Sequence, residues 1–316
     1  MSIVLKAIAV LLAAVLFISC SGSFLLSGLD TAERALIQGA VNNVSAAQIF
    51  TTLGSINGSR TTRADCESAV IAMLSAAVAP HAGSFTAIEP LAGNDNIVAE
   101  LPGTEPALAP VVVTAHWDWV YAPAMEDNAS GMAGVIETAR VLATRSFRRT
   151  IRFILFDHEE WGMVGSAAYV SSLSSADLPD YFVNYDMISY TSPSPDTLCP
   201  IARQTAGDYI IALAPEWAAE SVAEFARDAR LFVPDLRFYA ATLPSDYASS
   251  PLINNATRSD NESFWNRGAH GLFFTTADRD PYYHSPQDTI DTLDITFLTK
   301  VVKAGLATIC VRAGIE

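Results

Sequence analysis

Residues 151–156 read Ile-Arg-Phe-Ile-Leu-Phe and run directly into Asp157-His158-Glu159-Glu160-Trp161-Gly162. A short apolar run of this kind fits a strand buried on both faces. Ending it in adjacent carboxylates is costly unless something binds them. One way to use such a pair is to place one carboxylate on a metal while its neighbour handles protons. Comparable apolar runs occur at 111–115, 181–188 and 271–276, and helix-like segments separate them. The alternation predicts an α/β domain with a largely parallel sheet covered by helices on both faces. Ligands of such sheets bind at the carboxyl ends of the strands. His116, Glu159, Glu160 and Asp186 all fall at such ends.

The 316 residues carry a formal net charge of −15. That charge argues against nucleic acid and against an anionic membrane surface as the main partner. Lys6 followed by the apolar run 7–18 and Ser19-Cys20-Ser21-Gly22 is a secretory signal pattern. Leu16-Phe17-Ile18-Ser19-Cys20 also resembles a bacterial lipobox, with Cys20 as the acylated residue and a lipid anchor to the membrane as the consequence. The expectation is an exported protein, a periplasmic or cell-envelope lipoprotein or otherwise a secreted one. The chain divides into a signal peptide 1–20, a linker, N-terminal extension or start of a first helix over 21–43, and one catalytic-type domain 44–316. Cys66, Cys199 and Cys310 then remain, enough for at most one internal disulfide. Both a Cys66–Cys310 bridge and three free buried thiols fit the spacing.

Taken in order, a short helix is expected over 44–53, turn chemistry over 55–60, and a helix over 65–79 stopped by Pro80. Strands follow at 84–89 and 96–101. The run 111–115 leads into His116-Trp117-Asp118, and a loop reaches Glu126-Asp127-Asn128-Ala129-Ser130-Gly131 before a helix over 132–144. A helix through Tyr169, a polar loop over 189–208, a helix over 217–230, an irregular stretch 241–262 and a C-terminal helix over 295–311 complete the pattern.

His116, Asp118, Asp127, Glu159, Glu160, Asp186 and His284 supply nitrogen and oxygen donors suited to a borderline divalent cation such as zinc. They exceed the needs of one tetrahedral ion, and two ions sharing a carboxylate would use them. The ordered set His116-x-Asp118, Asp127-Asn128-Ala129-Ser130-Gly131, Glu159-Glu160-x-Gly162-x-x-Gly165-Ser166, Asn184-x-Asp186-Met187 and Tyr283-His284-Ser285-Pro286-x-Asp288-Thr289 resembles the M28 family of di-zinc aminopeptidases. Ser259-Asp260-x-x-x-Phe264-x-x-x-Gly268 is similar to the family's stretch before the last strand. The resemblance implies a mixed, largely parallel sheet in a zinc-exopeptidase-like sandwich, two Zn²⁺ per subunit, and peptide substrates with a free N-terminus. It implies Asp127 as the shared ligand, His116 and Asp186 at one ion, and Glu160 and His284 at the other. Glu159 would be the general base, Asp118 would hold the His116 ring, and Tyr283 would donate to the developing oxyanion. It also implies a cis peptide bond at Asp127-Asn128.

His158 is expected to be structural, since strand alternation points it away from its neighbours, and His81 and His270 fall outside the motifs. Trp117, Trp119, Trp161, Phe264 and Trp265 are candidates for the walls of a substrate cleft, with ordinary core packing as the alternative. A competing function on the same fold is a glutaminyl cyclase, an aminoacyltransferase that usually works with one zinc. A non-catalytic binding module is disfavoured because no donor is missing.

Overall fold

The computed structural model describes residues 28–196, 202–243, 256–276 and 279–316. Cys20 and Cys199, and with them the signal-peptide and acylation expectations, lie outside these residues. Three helices come first: α1 Thr31–Asn42, α2 Ala46–Ser59 and α3 Arg63–Val78. Strands β1 Phe85–Leu91, β2 Asn94–Leu101 and β3 Val111–His116 follow. A wide turn, Met125–Ser130, then leads into α4 Gly131–Leu142. Next are β4 Ile151–Phe156, α5 Val164–Ser172, β5 Tyr181–Tyr185, β6 Ile210–Pro215, α6 Ala219–Phe232, β7 Phe238–Leu243, α7 Asn261–Trp265, β8 Gly271–Thr275 and α8 Ile295–Ala313.

The eight strands form one sheet in the order β1-β2-β4-β3-β5-β8-β6-β7. β4, β3, β5 and β8 run parallel at its centre. β2 pairs antiparallel with β4, and β6 antiparallel with β8. Period-two alternation sorts the central side chains into two apolar layers. Val111, Val113, Phe153, Leu155, Tyr181, Val183, Leu272 and Phe274 face α1–α4, α6 and α8. Val112, Ile154, Phe156, Phe182 and Phe273 face α5 and α7. The mixed sheet with helices on both faces is thus the architecture expected.

Several local expectations change. Residues 31–42 of the expected linker are a helix whose Ile37, Ala40 and Val41 are buried. Asp30 caps it by accepting from the Ala32 and Glu33 amides, and Glu33 reaches back to the Asp30 amide. Ile37, Ala40 and Val41 join the same apolar core as the strands. The turn expected at 55–60 is the end of α2, where Ile49, Leu53 and Ile56 bury one face. That burial overrides the weak helix propensity of Gly54 and Gly58. β6 and β7 had no counterpart in the sequence pattern. β7 is a half-exposed edge strand with only β6 as partner, so its side chains lack a clear in–out alternation. Cys66 and Cys310 are buried free thiols, which removes the bridge between them.

Candidate metal centre

The centre of the sheet supplies the platform. β3 lies between β4 and β5, so His116 at its end, Glu159 and Glu160 after β4, and Asp186 after β5 emerge side by side. The Asp186 amide donates to the Phe274 carbonyl of β8 at 3.0 Å, which carries the edge on towards the loop bearing His284. Asp127 comes from the 125–130 turn. The Asp127-Asn128 peptide bond is cis, as the resemblance implied.

The loops are irregular and heavily tied. His158, Met163, Met187 and His284 all have positive φ, between 51° and 59°. Non-glycine residues rarely adopt this region unless their surroundings enforce it. Gly162, at φ 101°, sits where a side chain would be strained. Gly165 packs so closely that an added Cβ would come within 2.2 Å of the Asp157 carbonyl. These two glycines of the Glu159-Glu160 motif are therefore set by backbone geometry.

Two groups of three donors form here, each with its ligand atoms within 4.8 Å of one another: His116, Asp127 and Asp186, and Asp127, Glu160 and His284. Asp127 belongs to both. His116 Nε2 lies 3.3 Å from Asp127 Oδ1 and 3.6 Å from Asp186 Oδ1, and His284 Nε2 lies 3.1 Å from Asp127 Oδ2 and 2.9 Å from Glu160 Oε2. A third grouping joins His116, Glu159 and Glu160. Asp118 is buried, accepts from the amides of Glu159 at 3.1 Å and Glu160 at 3.2 Å, and lies 3.4 Å from His116 Nδ1. It thus holds both glutamates against the end of β3 as well as facing the imidazole.

The donor set fits a cation. Both ring nitrogens of His116, Nε2 of His284 and Oε1 of Glu160 are buried and make no hydrogen bond, although buried polar atoms ordinarily find one. The carboxylates also strain against one another. Burial, reinforced by Asp127, pushes Glu160 up to about 8. Burial does the same to Glu159, with Asp186, Asp260 and Asp127 adding repulsion, and lifts it well above the carboxylate range. Burial opposes a charged His116, but Glu159, Asp118, Asp127 and Asp186 outweigh it and raise the imidazole well above its usual range. Bound positive charge would relieve this repulsion.

The shifts fix a sign for the metal-free protein. The folded state holds protons on Glu160 that the unfolded chain releases near pH 4.5. The stability that Glu160 contributes is therefore full below that pH and is lost as pH rises towards about 8. His116, also raised, contributes in the same direction. Urea unfolding of chelator-stripped protein should show a loss of at least about 2 kcal/mol between about pH 5 and pH 8. Saturating zinc should cancel or reverse the slope, because it takes the deprotonated donors. A flat profile without metal would contradict this electrostatic picture.

The remaining expected residues separate clearly. Tyr283 is 39% exposed, stacks on His284 at 3.8 Å, and its hydroxyl accepts from Arg258 Nη2 at 3.1 Å. Burial pushes its phenol above the usual range, so it stays a donor. His158 joins none of the donor groups. Its Nδ1 lies 2.9 Å from Asp157, and its ring meets Trp161 edge-on. His81 faces the Pro102 carbonyl, and His270 pairs with Glu220. Trp117, Phe264 and Trp265 are core residues, not cleft walls, because each is buried in one of the two apolar layers. Trp119 is partly buried under the Arg60 guanidinium. Trp161 alone among the five is open, at 77% exposure.

The sequence pattern assigned no role to Glu126 or Arg258, and none to Asp260 or Asp288 beyond a place in a motif. Asp260 is fully buried with neither carboxylate oxygen hydrogen-bonded, and burial raises it to about 7. Asp288 accepts from the amides of Glu126 at 2.7 Å and Asp127 at 3.1 Å. An acid directly before Asp127 was the only signal for Glu126.

A profile of peptidase family M28 matches residues 96–309. Aminopeptidase YwaD of Bacillus subtilis is 29% identical over 185 residues, which is 57% of this chain and 36% of that protein. The chain thus spans well under two thirds of the length of that curated relative. The LapA aminopeptidase of Legionella pneumophila superposes with a TM-score of 0.71 at 18% identity, covering 89% of this chain and 75% of that one. BSAP, a zinc aminopeptidase of Bacillus subtilis, superposes with a TM-score of 0.56 at 25% identity, covering 70% and 50%.

Proposed function

The chain belongs to peptidase family M28, and from that premise we propose that it is a metal-dependent aminopeptidase that removes the N-terminal residue of peptides. The observation that carries the proposal is the pair of three-donor groups sharing Asp127, with Glu159 beside them. We assign His116, Asp186 and Asp127 to one zinc ion and Glu160, His284 and Asp127 to a second. A zinc aminopeptidase among the similar structures and the mixed imidazole–carboxylate donors support the choice of metal. When bound, such ions acidify water and polarise the scissile carbonyl.

The chain's own residues supply the rest. Glu159 also approaches His116, at 3.9 Å, but each ion already has three donors without it. A buried carboxylate whose proton affinity is raised suits a group that takes a proton from the attacking water and returns it to the leaving amine. Asp118 fixes the backbone of Glu159 and the orientation of His116. Tyr283, stacked on His284 and held by Arg258, can donate to the carbonyl oxygen as charge develops there. The excess of carboxylates over imidazoles at these strand ends suits a cationic N-terminus.

The test is a panel of aminoacyl-nitroanilides assayed with and without chelator. The expected result is hydrolysis of at least one member, lost on chelation and restored by zinc. No chelator-sensitive hydrolysis of any member would overturn the proposal. Cyclisation of an N-terminal glutamine peptide, with one metal equivalent, would instead favour the glutaminyl cyclase. The second donor group of three argues against that alternative.

A further inference from the structure

The turn that carries Asp127 also carries Glu126, which the proposed reaction does not use. Glu126 is wholly buried. Its carboxylate accepts from the Ser189 amide at 2.9 and 3.1 Å, the Tyr190 amide at 2.9 Å and Thr276 Oγ1 at 2.8 Å. Residues 189 and 190 lie just past Asp186, on backbone that leaves β5 through the left-handed Met187. The same turn takes the two intervening amides. Asn128 Oδ1 accepts from Met187 at 3.3 Å, and Ser130 Oγ accepts from Ile188 at 3.1 Å. Four consecutive amides, 187–190, are thus held by three side chains of residues 126–130, and Glu126 holds two of them. Asp288 grips the turn from the other side through the amides of Glu126 and Asp127.

We propose that Glu126 is a positioning residue that registers the Asp186 loop against the Asp127 turn and so sets the spacing of the His116–Asp127–Asp186 donor group. The loop after β5 has no sheet partner for these amides, and buried amides must be satisfied. A single carboxylate that takes two of them, plus the Thr276 hydroxyl beyond β8, fixes Asp186 relative to three elements at once. The contacts that gather Asp127, Glu160 and His284 do not pass through the Glu126 side chain: Asp288 holds the turn by its backbone amides, and His284 meets Asp127 and Glu160 directly. Loss of Glu126 should therefore weaken one donor group selectively. The inference rests on the two-ion assignment above.

The test is a titration of metal-stripped protein with cobalt(II), read by visible absorption and by competition with a chelator, for wild type, Glu126→Ala and Glu126→Gln. In Glu126→Ala the affinity of one equivalent should fall by about 10–100-fold, the usual cost of losing a residue that orients a ligand. The other equivalent should stay at its wild-type affinity. Glu126→Gln keeps one acceptor oxygen and should show a smaller loss at that same equivalent. It carries the test alone if the alanine variant does not fold. Unchanged affinities would overturn the proposal, and so would equal weakening of both equivalents with a lowered unfolding midpoint, which marks a merely structural role. A wild type that binds a single equivalent would defeat the two-ion assignment, whereas the proposal about Glu126 would stand or fall on the affinity of that equivalent.

Discussion

Replacing Glu159 with Gln is expected to lower kcat by about 10²–10⁴-fold, the range that a positioned proton carrier contributes, with bound metal unchanged. Glutamine matches glutamate in size, so the packing around this 8%-exposed side chain is retained. The backbone contact to Asp118 uses the amide of residue 159, not its side chain, and survives the change. What disappears is the capacity to accept a proton in a place where burial and neighbouring acids have made that capacity high. Steady-state kinetics on the best nitroanilide, together with metal analysis of the same sample, separates the two effects. Activity within tenfold of wild type would show that another group carries the proton. Loss of metal alongside activity would move Glu159 into the donor set, through its grouping with His116 and Glu160.

Asp127→Asn should be the most damaging change to metal binding, because Asp127 alone belongs to both groups that it forms with the histidines. His116 and His284 each approach one of its two oxygens. Burial works against its ionisation, but contacts from both imidazoles overcome that and hold its carboxyl below the usual carboxylate range. Asparagine keeps the shape and removes the charge, leaving one oxygen in place of two equivalent ones. Removing one partner of a buried charged set costs about 3–5 kcal/mol, so affinity should fall by roughly 10²–10⁴-fold at both ions. Chelator competition checks this, with activity at saturating zinc as a second readout. Retention of two tightly bound equivalents would remove Asp127 from the shared position.

Much of the sheet could be read from the sequence. The strands at 111–116, 151–156, 181–185 and 271–275 are continuous apolar runs because helices cover them on both faces, and the chemistry falls at their ends for the same reason. The edge elements were harder. β7 faces solvent along much of its length, and α1 lies in a Ser-, Ala- and Gly-rich stretch whose helicity comes from a capping box and three buried side chains. Asp127 and His284 were legible only through motif order, since neither ends a strand and both sit on irregular loops. The aromatic residues misled because local sequence cannot tell a cleft wall from core. Trp117 sits one residue past His116 yet is fully buried, whereas Trp161, one residue past Glu160, is open to solvent.

Local pattern was enough for the fold class, the strand ends that bear the chemistry, and the residue types gathered there. Those follow from local periodicity and from the cost of leaving carboxylates at the ends of buried strands without a partner. Which side chains face one another is a matter of long-range packing. Packing groups Asp127 with two separate pairs of donors, turns the Asp118 carboxylate to the amides of both glutamates, and brings Glu126 to the amides of Ser189 and Tyr190. Such contacts reach far along the chain, 41 positions between Asp118 and Glu159 and 63 between Glu126 and Ser189. Local pattern carries no record of them, because they arise from how three neighbouring strands and their loops close over one point of the sheet.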